Sequence, residues 1–461
     1  MSEATTDTFD IVILGGGSGG YACALRATQL GMSVALVEKD LLGGTCLHRG
    51  CIPTKAFLHS AEVADNTRES ATFGVKASFD GIDMPQVLKY KDGVVGRLHK
   101  GLQGLVKGAK VTYVEGHGRL VGRDTVEVDG RRLVGKNIVL ATGSRPITLP
   151  GIEITGRVMT SEGALKLEEV PNRVVVLGGG VIGCELASVF RSFGSEVTII
   201  EALPRLVAAE DPAISKALER AFKKRKISVK AGTRSSGVSQ SDDVATVELE
   251  GGDTIDAELV LVAVGRGPVT EDLGFEDAGV TLERGFVITD ERCRTGVDGI
   301  RAVGDIVPGL QLAHRGFAQG IFVAEDIAGL NPQPLDETTI PRITYTDPEV
   351  ASVGLTEEKA KEIHGADSVE AVEFNLGGNG KSQMLATAGF VKVVRTKDGP
   401  VVGIHMVGAR MGEQIGEAQL IVGWEALPEE VAQFVHAHPT QNEAVGEAHM
   451  ALAGRPLHAH S

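Results

Sequence analysis

Two cysteines, Cys46 and Cys51, lie five positions apart in a glycine-bounded segment of the chain. On a regular helix this separation would place their Cα atoms roughly 8–9 Å apart, because each residue rises about 1.5 Å and turns by about 100°. A disulfide requires less than ~7 Å, so we expect an irregular turn or a distorted first helical turn, with Gly50 supplying backbone freedom. A strained, partly exposed disulfide exchanges readily with other thiols. The pair therefore predicts reversible redox chemistry and not a structural crosslink.

The cysteine segment follows a glycine-rich pattern that occurs twice in the chain. In both copies a strand-like apolar run precedes the glycines, a helix follows them, and a second strand ends at an acidic residue. The distance from the first glycine to the acid is 23 positions, from Gly15 to Glu38 and from Gly178 to Glu201. This context is typical of a dinucleotide-binding unit, in which the helix N-terminus attracts the phosphates and the acid binds a ribose hydroxyl. The fingerprint glycines are Gly15, Gly17 and Gly20 in the first copy and Gly178, Gly180 and Gly183 in the second.

Two such units predict two bound dinucleotides. The unit beside the cysteines would hold the dinucleotide that stays bound, which for thiol chemistry is a flavin, FAD. The second unit would hold a nicotinamide nucleotide. Glu201 favours NAD over NADP, because a carboxylate there accepts from a 2′-hydroxyl but repels a 2′-phosphate. A glycine-rich turn in an unrelated α/β protein is the alternative, and the two matched copies argue against it.

A second candidate site lies near the C-terminus, at His438 and Glu443. Thiol–disulfide exchange needs a base to take the thiol proton, and imidazole suits this task near neutral pH. Pro439 and Thr440 indicate a helix start, and Thr440 with Glu443 matches a capping box. A purely structural Glu443 and a solvated loop histidine are therefore the alternatives. A redox disulfide in the same chain favours the catalytic interpretation.

Composition limits the class of partner. The chain of 461 residues is 42% hydrophobic and carries a net charge of −15. It can bury large cores, but it lacks the basic face that nucleic acid or an anionic membrane attracts. Its few scattered cysteines do not form a secreted disulfide scaffold, and no apolar run reaches the ~18 residues of a membrane span. We therefore expect a cytoplasmic protein.

The other cysteines and the last histidines are predicted to have no chemical role. Cys23 and Cys184 follow the two glycine loops and should be core thiols, and Cys293 should be equally inert. His458 and His460 lie in a short polar tail without the spacing of metal ligands, so no metal site is expected and both should be solvated.

These patterns predict an α/β protein with two Rossmann-like dinucleotide-binding domains and a C-terminal α+β domain. Alternating runs at 390–395 and 401–407, joined by a turn through Asp398, are typical of an antiparallel hairpin in that last domain. The predicted domains are residues 1–150 for FAD binding, 151–270 for NAD binding, 271–339 for a central domain returning to the FAD site, and 340–461 for the α+β domain.

The assembled motifs resemble those of the pyridine nucleotide–disulfide oxidoreductase family over about residues 9–453. The most specific are GGTCLHRGCIPTK at 43–55, the paired fingerprints, AVGD at 302–305 and HAHPTQNE at 436–443. Within the family they are most similar to enzymes that oxidise protein-bound dihydrolipoamide to lipoamide and reduce NAD⁺ to NADH, the E3 component of 2-oxo-acid dehydrogenase complexes. The resemblance implies a homodimer formed through the C-terminal domain, and a lipoyl-bearing E2 component as partner.

The resemblance also implies roles for individual residues. Asp305 would hydrogen-bond the flavin ribityl chain, Ala313 would lie in the segment that approaches the isoalloxazine, and Gly118 would contact the adenine through its backbone. Lys55 would pair with Glu185 near the flavin N5. Short motifs complete the predicted cofactor contacts: Thr45, Thr142, Gly143, Ser144 and Gly265.

The implied reaction begins when His438, oriented by Glu443, deprotonates a dihydrolipoyl thiol. That thiol would attack Cys46, and Cys51 would remain as a thiolate against the flavin. In this family the histidine serves the disulfide of the partner subunit. The residues at 48–49, histidine and arginine, depart from the family pattern and could alter substrate access.

Two other functions stay open at this point. One is an NADH-dependent flavoprotein reductase that acts on a quinone or on another disulfide. The other is a mainly structural subunit of a multienzyme assembly, which the intact cysteine pair and His438 disfavour.

Overall fold

The computed structural model describes residues 6–459, which divide into two compact units. The first unit comprises the chain up to Phe57, Pro85–Ile147 and Gly265–Glu337. The second comprises Leu58–Met84, Thr148–Val264 and the chain from Thr338 onward. The four predicted domains divide the chain more finely, and their limits stay a prediction.

The secondary structure alternates strands and helices, as an α/β protein requires. In chain order, strands β1 to β24 are Thr6–Leu14, Val34–Glu38, Thr112–Glu115, Gly118–Leu120, Thr125–Val128, Arg131–Leu140, Ser144–Pro146, Val158–Thr160, Arg173–Leu177, Glu196–Glu201, Ile227–Ala231, Ser235–Gln240, Ala245–Leu249, Thr254–Ala257, Leu259–Val262, Arg266–Pro268, Leu282–Glu283, Phe286–Val287, Ile300–Ala302, Arg342–Thr344, Glu349–Gly354, Val369–Asn375, Phe390–Thr396 and Val401–Gly408. Helices α1 to α13 are Ser18–Gln29, Gly44–Arg49, Cys51–Glu69, Met84–Gly108, Ser161–Ala164, Val181–Phe193, Pro212–Lys224, Ala313–Ile327, Glu357–His364, Gly380–Met384, Met411–Gly423, Pro428–Val431 and Glu443–Leu452.

A mainly parallel sheet forms the centre of the first unit. Its strands run in the order β3-β2-β1-β6-β5-β4, and β19 pairs in parallel with β6. The run Ile11–Leu14 on β1 is buried on both faces, as expected for a parallel strand covered on both sides. Helices α1, α4 and α8 contribute to the core on one face. The sheet is the Rossmann-like unit predicted around the first fingerprint.

The second unit contains another parallel sheet, built around the second fingerprint. Its strands run in the order β11-β10-β9-β15-β8, and α6 follows β9 directly. A three-stranded antiparallel sheet, β12-β13-β14, lies between β11 and β15 in the sequence. The repeat seen in the sequence is therefore a repeat of the fold.

The C-terminal part of the second unit is an antiparallel sheet with helices packed on it. Its order is β20-β21-β24-β23-β22, and its core includes apolar residues of α11 and α13. The predicted hairpin is β23 and β24, whose connecting turn contains Asp398 at φ +55°. The predicted α+β domain is confirmed.

Within residues 6–459, no helix combines the length and the apolar character that a membrane span needs.

Candidate active site

Cys46 and Cys51 form a disulfide at the junction of two helices. Helix α2 ends before Gly50, whose backbone is not helical (φ −135°, ψ −108°), and α3 begins at Cys51. This interruption brings the two Cα atoms to 4.6 Å, well within the range of a disulfide. Both cysteines are half-buried. The expected break in the helix at Gly50 and the partial exposure are confirmed.

Side chains inside the cysteine loop hold it against the preceding segment. His48 donates from Nε2 to the carbonyl oxygen of Leu42 (2.9 Å), and Arg49 forms an ion pair with Asp40. The His48 ring also packs edge-on against His99, with centroids 4.7 Å apart. The residues that depart from the family pattern therefore anchor the loop that carries the disulfide.

The first and third fingerprint glycines are required by the backbone itself. Gly15 and Gly178 both have φ +109°, and a Cβ there would lie 2.2 and 2.3 Å from a backbone carbonyl oxygen. A Cβ at Gly20 or Gly183 would lie 1.8 or 1.9 Å from the carbonyl oxygen of the first glycine. These four glycines permit the tight turn and the close packing of helix on strand.

The middle fingerprint glycines, Gly17 and Gly180, are needed for a different reason, which is access to the helix N-terminus. A Cβ at Gly17 or Gly180 would meet no protein atom within 4 Å. Each glycine is the N-cap of its helix, α1 or α6, and no side chain caps either helix. The first N–H groups of both helices can therefore bind a pyrophosphate that approaches the glycine backbone. Both loops fit a dinucleotide.

Glu38 and Glu201 occupy the same position in the two units. Glu38 accepts a hydrogen bond from the N–H of Gly16 (2.7 Å), and Glu201 accepts one from the N–H of Gly179 (2.5 Å). Burial raises the pKa of Glu38, although hydrogen bonds from the loop backbone oppose the shift. Each acid thus fixes its glycine loop, a role that the sequence analysis missed, and its remaining lone pairs suit ribose hydroxyls.

The loops after β6 and β19 meet at the carboxyl end of the first sheet. Ser144 donates from Oγ to Asp305 Oδ2 (2.5 Å) and accepts from Arg266 Nε (2.7 Å). Thr142 donates from Oγ1 to the carbonyl oxygen of Val269 (2.5 Å). Ligands of doubly wound sheets bind at this end of the strands. Sequence reasoning missed Arg266, although it follows the predicted glycine at 265 directly.

Other predicted cofactor residues have their own structural contacts. Ala313 is the first residue of α8. A Cβ at Gly118 would lie 2.7 Å from the Leu14 side chain, so packing alone requires glycine there. Gly265 has φ +125°, and its carbonyl oxygen accepts from the N–H of Ile147 (3.0 Å). Contacts of these residues with a cofactor stay predictions.

The predicted pair near the flavin N5 involves both units. Lys55 lies on α3 in the first unit, whereas Glu185 is buried on α6 in the second. Glu185 Oε1 accepts from the N–H of Tyr345 (3.0 Å). Thr45 lies on α2 beside Cys46. The Lys55–Glu185 pairing and the cofactor contact of Thr45 stay predictions.

The structure brings His438 and Glu443 together. Nδ1 of His438 lies 2.8 Å from Glu443 Oε1, and the imidazole is 78% exposed. When Nδ1–H donates to the carboxylate, Nε2 carries the lone pair that can accept a proton. Burial opposes ionisation of Glu443, but hydrogen bonds from Thr440 and His438 outweigh it and lower the pKa of this carboxyl.

Glu443 also makes part of the capping box that is the structural alternative to a catalytic role. Glu443 Oε2 accepts from the N–H of Thr440 (2.7 Å), which is half of a capping box. The Thr440 hydroxyl donates instead to the carbonyl oxygen of Ala437 (2.7 Å), and α13 begins only at Glu443, after Asn442. The predicted helix start at Pro439 and Thr440 is wrong, because the threonine hydroxyl closes the loop and does not cap the helix.

The remaining cysteines and the described tail histidine behave as predicted. Cys23, Cys184 and Cys293 are free and buried, and burial raises the pKa of the Cys23 and Cys293 thiols to about 12. His458 is exposed, as predicted, and its Nδ1 also lies 2.6 Å from Glu447 Oε1. The second tail histidine, at 460, lies outside the described residues.

Comparison with known proteins defines the class. The model of the pyridine nucleotide-disulphide oxidoreductase family matches residues 9–320, and that of the family's dimerisation domain matches residues 340–449. The chain therefore belongs to the pyridine nucleotide-disulphide oxidoreductase family, as its motifs predicted. The cofactors are FAD and NAD, as the two fingerprints predicted.

Relatives within this family include dihydrolipoyl dehydrogenases. A dihydrolipoyl dehydrogenase of Bacillus subtilis is 41% identical over 98% of this chain and 99% of its own length. The mitochondrial dihydrolipoyl dehydrogenase 2 of Arabidopsis thaliana is 40% identical over 99% of this chain and 93% of its own length.

Solved structures confirm the fold. LpdA from Mycobacterium tuberculosis superposes with a TM-score of 0.89 at 26% identity, covering 97% of this chain and 100% of that chain. The HOCl-induced flavoprotein disulfide reductase RclA from Escherichia coli, in a Cu(II) complex, gives a TM-score of 0.87 at 26% identity over 97% and 100% of the two chains.

Proposed function

We propose that this protein is a dihydrolipoyl dehydrogenase. It oxidises dihydrolipoamide carried by the E2 component of a 2-oxo-acid dehydrogenase complex and reduces NAD⁺ to NADH. The observation that carries the proposal is the Cys46–Cys51 disulfide directly after a dinucleotide fingerprint. The near-full-length similarity to dihydrolipoyl dehydrogenases favours this substrate over other disulfides.

The two fingerprints divide the cofactors between them. The loop that begins at Gly15 would hold FAD, with Ser144 and Asp305 at the same end of the sheet, and the loop that begins at Gly178 would hold NAD. FAD, when bound, supplies the two-electron transfer between the dithiol and NAD⁺. Glu201 sets the choice of nucleotide through its carboxylate.

The protein residues carry out the exchange of the disulfide. His438 takes the proton of one dihydrolipoyl thiol at Nε2, and the resulting thiolate attacks Cys46 Sγ and breaks its bond to Cys51. Cys51 is the first residue of the 19-residue helix α3, and a helix N-terminus stabilises the thiolate that leaves. The second lipoyl thiol then displaces Cys46, so that lipoamide is released and both cysteines are reduced.

We further propose a homodimer that completes this site. Trp424, Phe434 and Val435 are 75%, 74% and 97% exposed in the single chain. Exposed apolar side chains of this size are typical of a protein interface, and the last two precede His438 closely. A second copy would cover them, and the partner subunit's His438 would serve each disulfide. We place the enzyme in the cytoplasm because its few, scattered cysteines and its reactive cysteine pair fit a reducing compartment.

Steady-state kinetics test the proposed function. Purified enzyme is assayed with dihydrolipoamide and NAD⁺, and in parallel with NADH and a quinone. We expect dihydrolipoamide oxidation to dominate and to require the cysteine pair. Quinone reduction that is faster and survives loss of the cysteine pair would support the alternative flavoprotein reductase, which the similarity to RclA keeps relevant.

A further inference from the structure

Two residues flank the loop that carries His438, and both contact one carboxylate. His436 donates from Nε2 to Glu417 Oε1 (2.9 Å), and Asn442 donates from Nδ2 to Glu417 Oε2 (2.5 Å). Glu417 projects from α11, and His436 is only 11% exposed. The hydrogen bond that His436 donates to Glu417 raises the pKa of His436, so the contact is charge-assisted over a wider pH range.

The His436 ring also contacts the helix that carries Glu443. A Cβ at Gly446, on α13, would lie 2.5 Å from His436 Nδ1, so the ring packs directly on the first turn of that helix. Glu443 begins the same helix and holds His438 by a 2.8 Å hydrogen bond. A continuous set of contacts thus runs from Glu417 through His436 and α13 to His438.

Other contacts hold the part of the loop between His438 and Asn442. Gln441 donates from Nε2 to the carbonyl oxygen of Ala409 (2.8 Å), and Asn379 donates to the carbonyl oxygen of Thr440 (3.0 Å). These contacts restrain the backbone at 440–441, whereas Glu417 restrains both ends. Fixing both ends of a loop leaves its central histidine fewer orientations.

We propose that Glu417 is a positioning residue for dithiol oxidation, and that it acts by holding both ends of the 436–442 loop so that His438 points at the substrate thiol. The inference rests on the proposed function, because it assigns a role within the same site. Sequence reasoning gave no signal for it, since Glu417 lies on a different helix and in no recognisable motif.

The test uses Glu417→Gln in the full-length enzyme with bound cofactor. The amide keeps the size of the side chain but can accept only one of the two hydrogen bonds. We expect kcat for dihydrolipoamide oxidation to fall about tenfold with KM changed by less than about twofold, because misorientation loses part of the ~10²–10⁴-fold contribution of a general base. Reduction of ferricyanide by NADH needs no such base and should be unchanged. Glu413→Gln is the matched control, since Glu413 is exposed on the same helix and should leave both reactions unchanged.

A second variant separates positioning from stability. Gly446→Ala improves the intrinsic helix propensity of α13 but displaces His436. We expect it to lower kcat for dihydrolipoamide as Glu417→Gln does, again without loss of ferricyanide reduction. Normal kcat in both variants, or a parallel loss of both reactions, would refute the positioning role. An inactive wild-type enzyme would instead refute the proposed function, and this role with it.

Discussion

At the residue scale, Glu443 and Glu201 each make a hydrogen bond that holds the local backbone, in addition to the role proposed for them in catalysis or nucleotide binding. Glu443 accepts from a loop N–H with one oxygen and binds His438 with the other. Glu201 accepts from the N–H groups of Gly179 and Leu203, at 2.5 and 2.6 Å. Replacing either acid therefore changes the local backbone as well as the chemistry.

The choice of nucleotide should depend on Glu201. Wild-type enzyme should strongly prefer NAD⁺, and Glu201→Ala should reduce kcat/KM for NAD⁺ by about 10-fold or more, since a hydrogen bond to a charged group contributes roughly 1.5–3 kcal/mol. The preference for NAD⁺ over NADP⁺ should also be smaller in Glu201→Ala, because this variant lacks the charge that repels a 2′-phosphate. Steady-state kinetics with both nucleotides measure this, with Glu196→Ala as control because Glu196 is exposed at the other end of β10. Equal use of NADP⁺ by the wild type would contradict the assignment.

The two cysteines should differ spectroscopically. Cys51 begins α3, so its thiolate is stabilised by the helix N-terminus. Cys46→Ser, which leaves Cys51 as a free thiol, should show a long-wavelength thiolate-to-flavin absorbance band without any reductant. Cys51→Ser should lack the band. Absorbance spectra of the oxidised variants test this prediction. A band in Cys51→Ser and none in Cys46→Ser would show that Cys46, and not Cys51, contacts the flavin.

At the element scale, α1 and α8 cross with almost no space between their backbones. A Cβ at Gly320 would lie 2.2 Å from the carbonyl oxygen of Gly19, and one at Gly316 would lie 2.7 Å from Ser18 Oγ. This crossing places the N-terminus of α1, where the first dinucleotide would bind, against a rigid neighbour.

Adding a methyl group at the crossing should therefore be costly. We expect Gly320→Ala to lower the free energy of unfolding by about 1–3 kcal/mol, because overpacking forces backbone shifts. Gly96→Ala on α4 is the control, since a Cβ there meets no atom within 4 Å, and it should stabilise the helix by up to about 1 kcal/mol. Chemical denaturation measures both, and a neutral Gly320→Ala would show that the crossing is not tightly packed.

A buried histidine on α13 should make stability depend on pH. His449 donates from Nδ1 to the carbonyl oxygen of Val445 (2.7 Å), and burial lowers its pKa from 6.5 to about 4. As the pH falls below 6.5 the unfolded chain takes up this proton first, so stability is lost down to about pH 4 and no further. The loss at pH 5 should be roughly 2 kcal/mol relative to pH 7.

His449→Leu should remove that part of the pH dependence. His364→Leu, at an exposed position on α9, should not. Urea unfolding at pH 7 and pH 5 compares the two variants with the wild type. If His449→Leu loses as much stability between pH 7 and pH 5 as the wild type does, protonation of His449 does not cause that loss.

At the scale of the whole molecule, the proposed site needs residues from two chains. His438→Gln should slow dithiol oxidation by about 10²–10⁴-fold, the usual worth of a general base. Mixing inactive Cys46→Ser and His438→Gln subunits under exchange conditions should restore activity, because one of the two sites in each heterodimer then has both intact residues. Absence of recovery despite demonstrated exchange would place the histidine in the same chain as its disulfide.

The sequence by itself determined the features that depend on neighbouring residues. The separation of five positions between the cysteines requires a break in the helix, and Gly50 makes that break. Gly15 and Gly178 need a left-handed backbone, and the other fingerprint glycines follow at fixed local spacing, so two dinucleotide-binding units could be predicted from the sequence. The two parallel sheets follow because each fingerprint specifies a strand, a turn and a helix in order.

Only the tertiary structure decided the contacts between residues that are distant in sequence. Ser144 meets Asp305 across 161 positions and Arg266 across 122, and Glu417 meets His436 from another helix. The Thr440 hydroxyl donates a hydrogen bond to a loop carbonyl oxygen and does not cap the helix, as it was predicted to do. Hydrogen-bond partners of this kind are selected by packing, because many side chains along the chain could make the same bond and only the folded geometry brings one pair within reach.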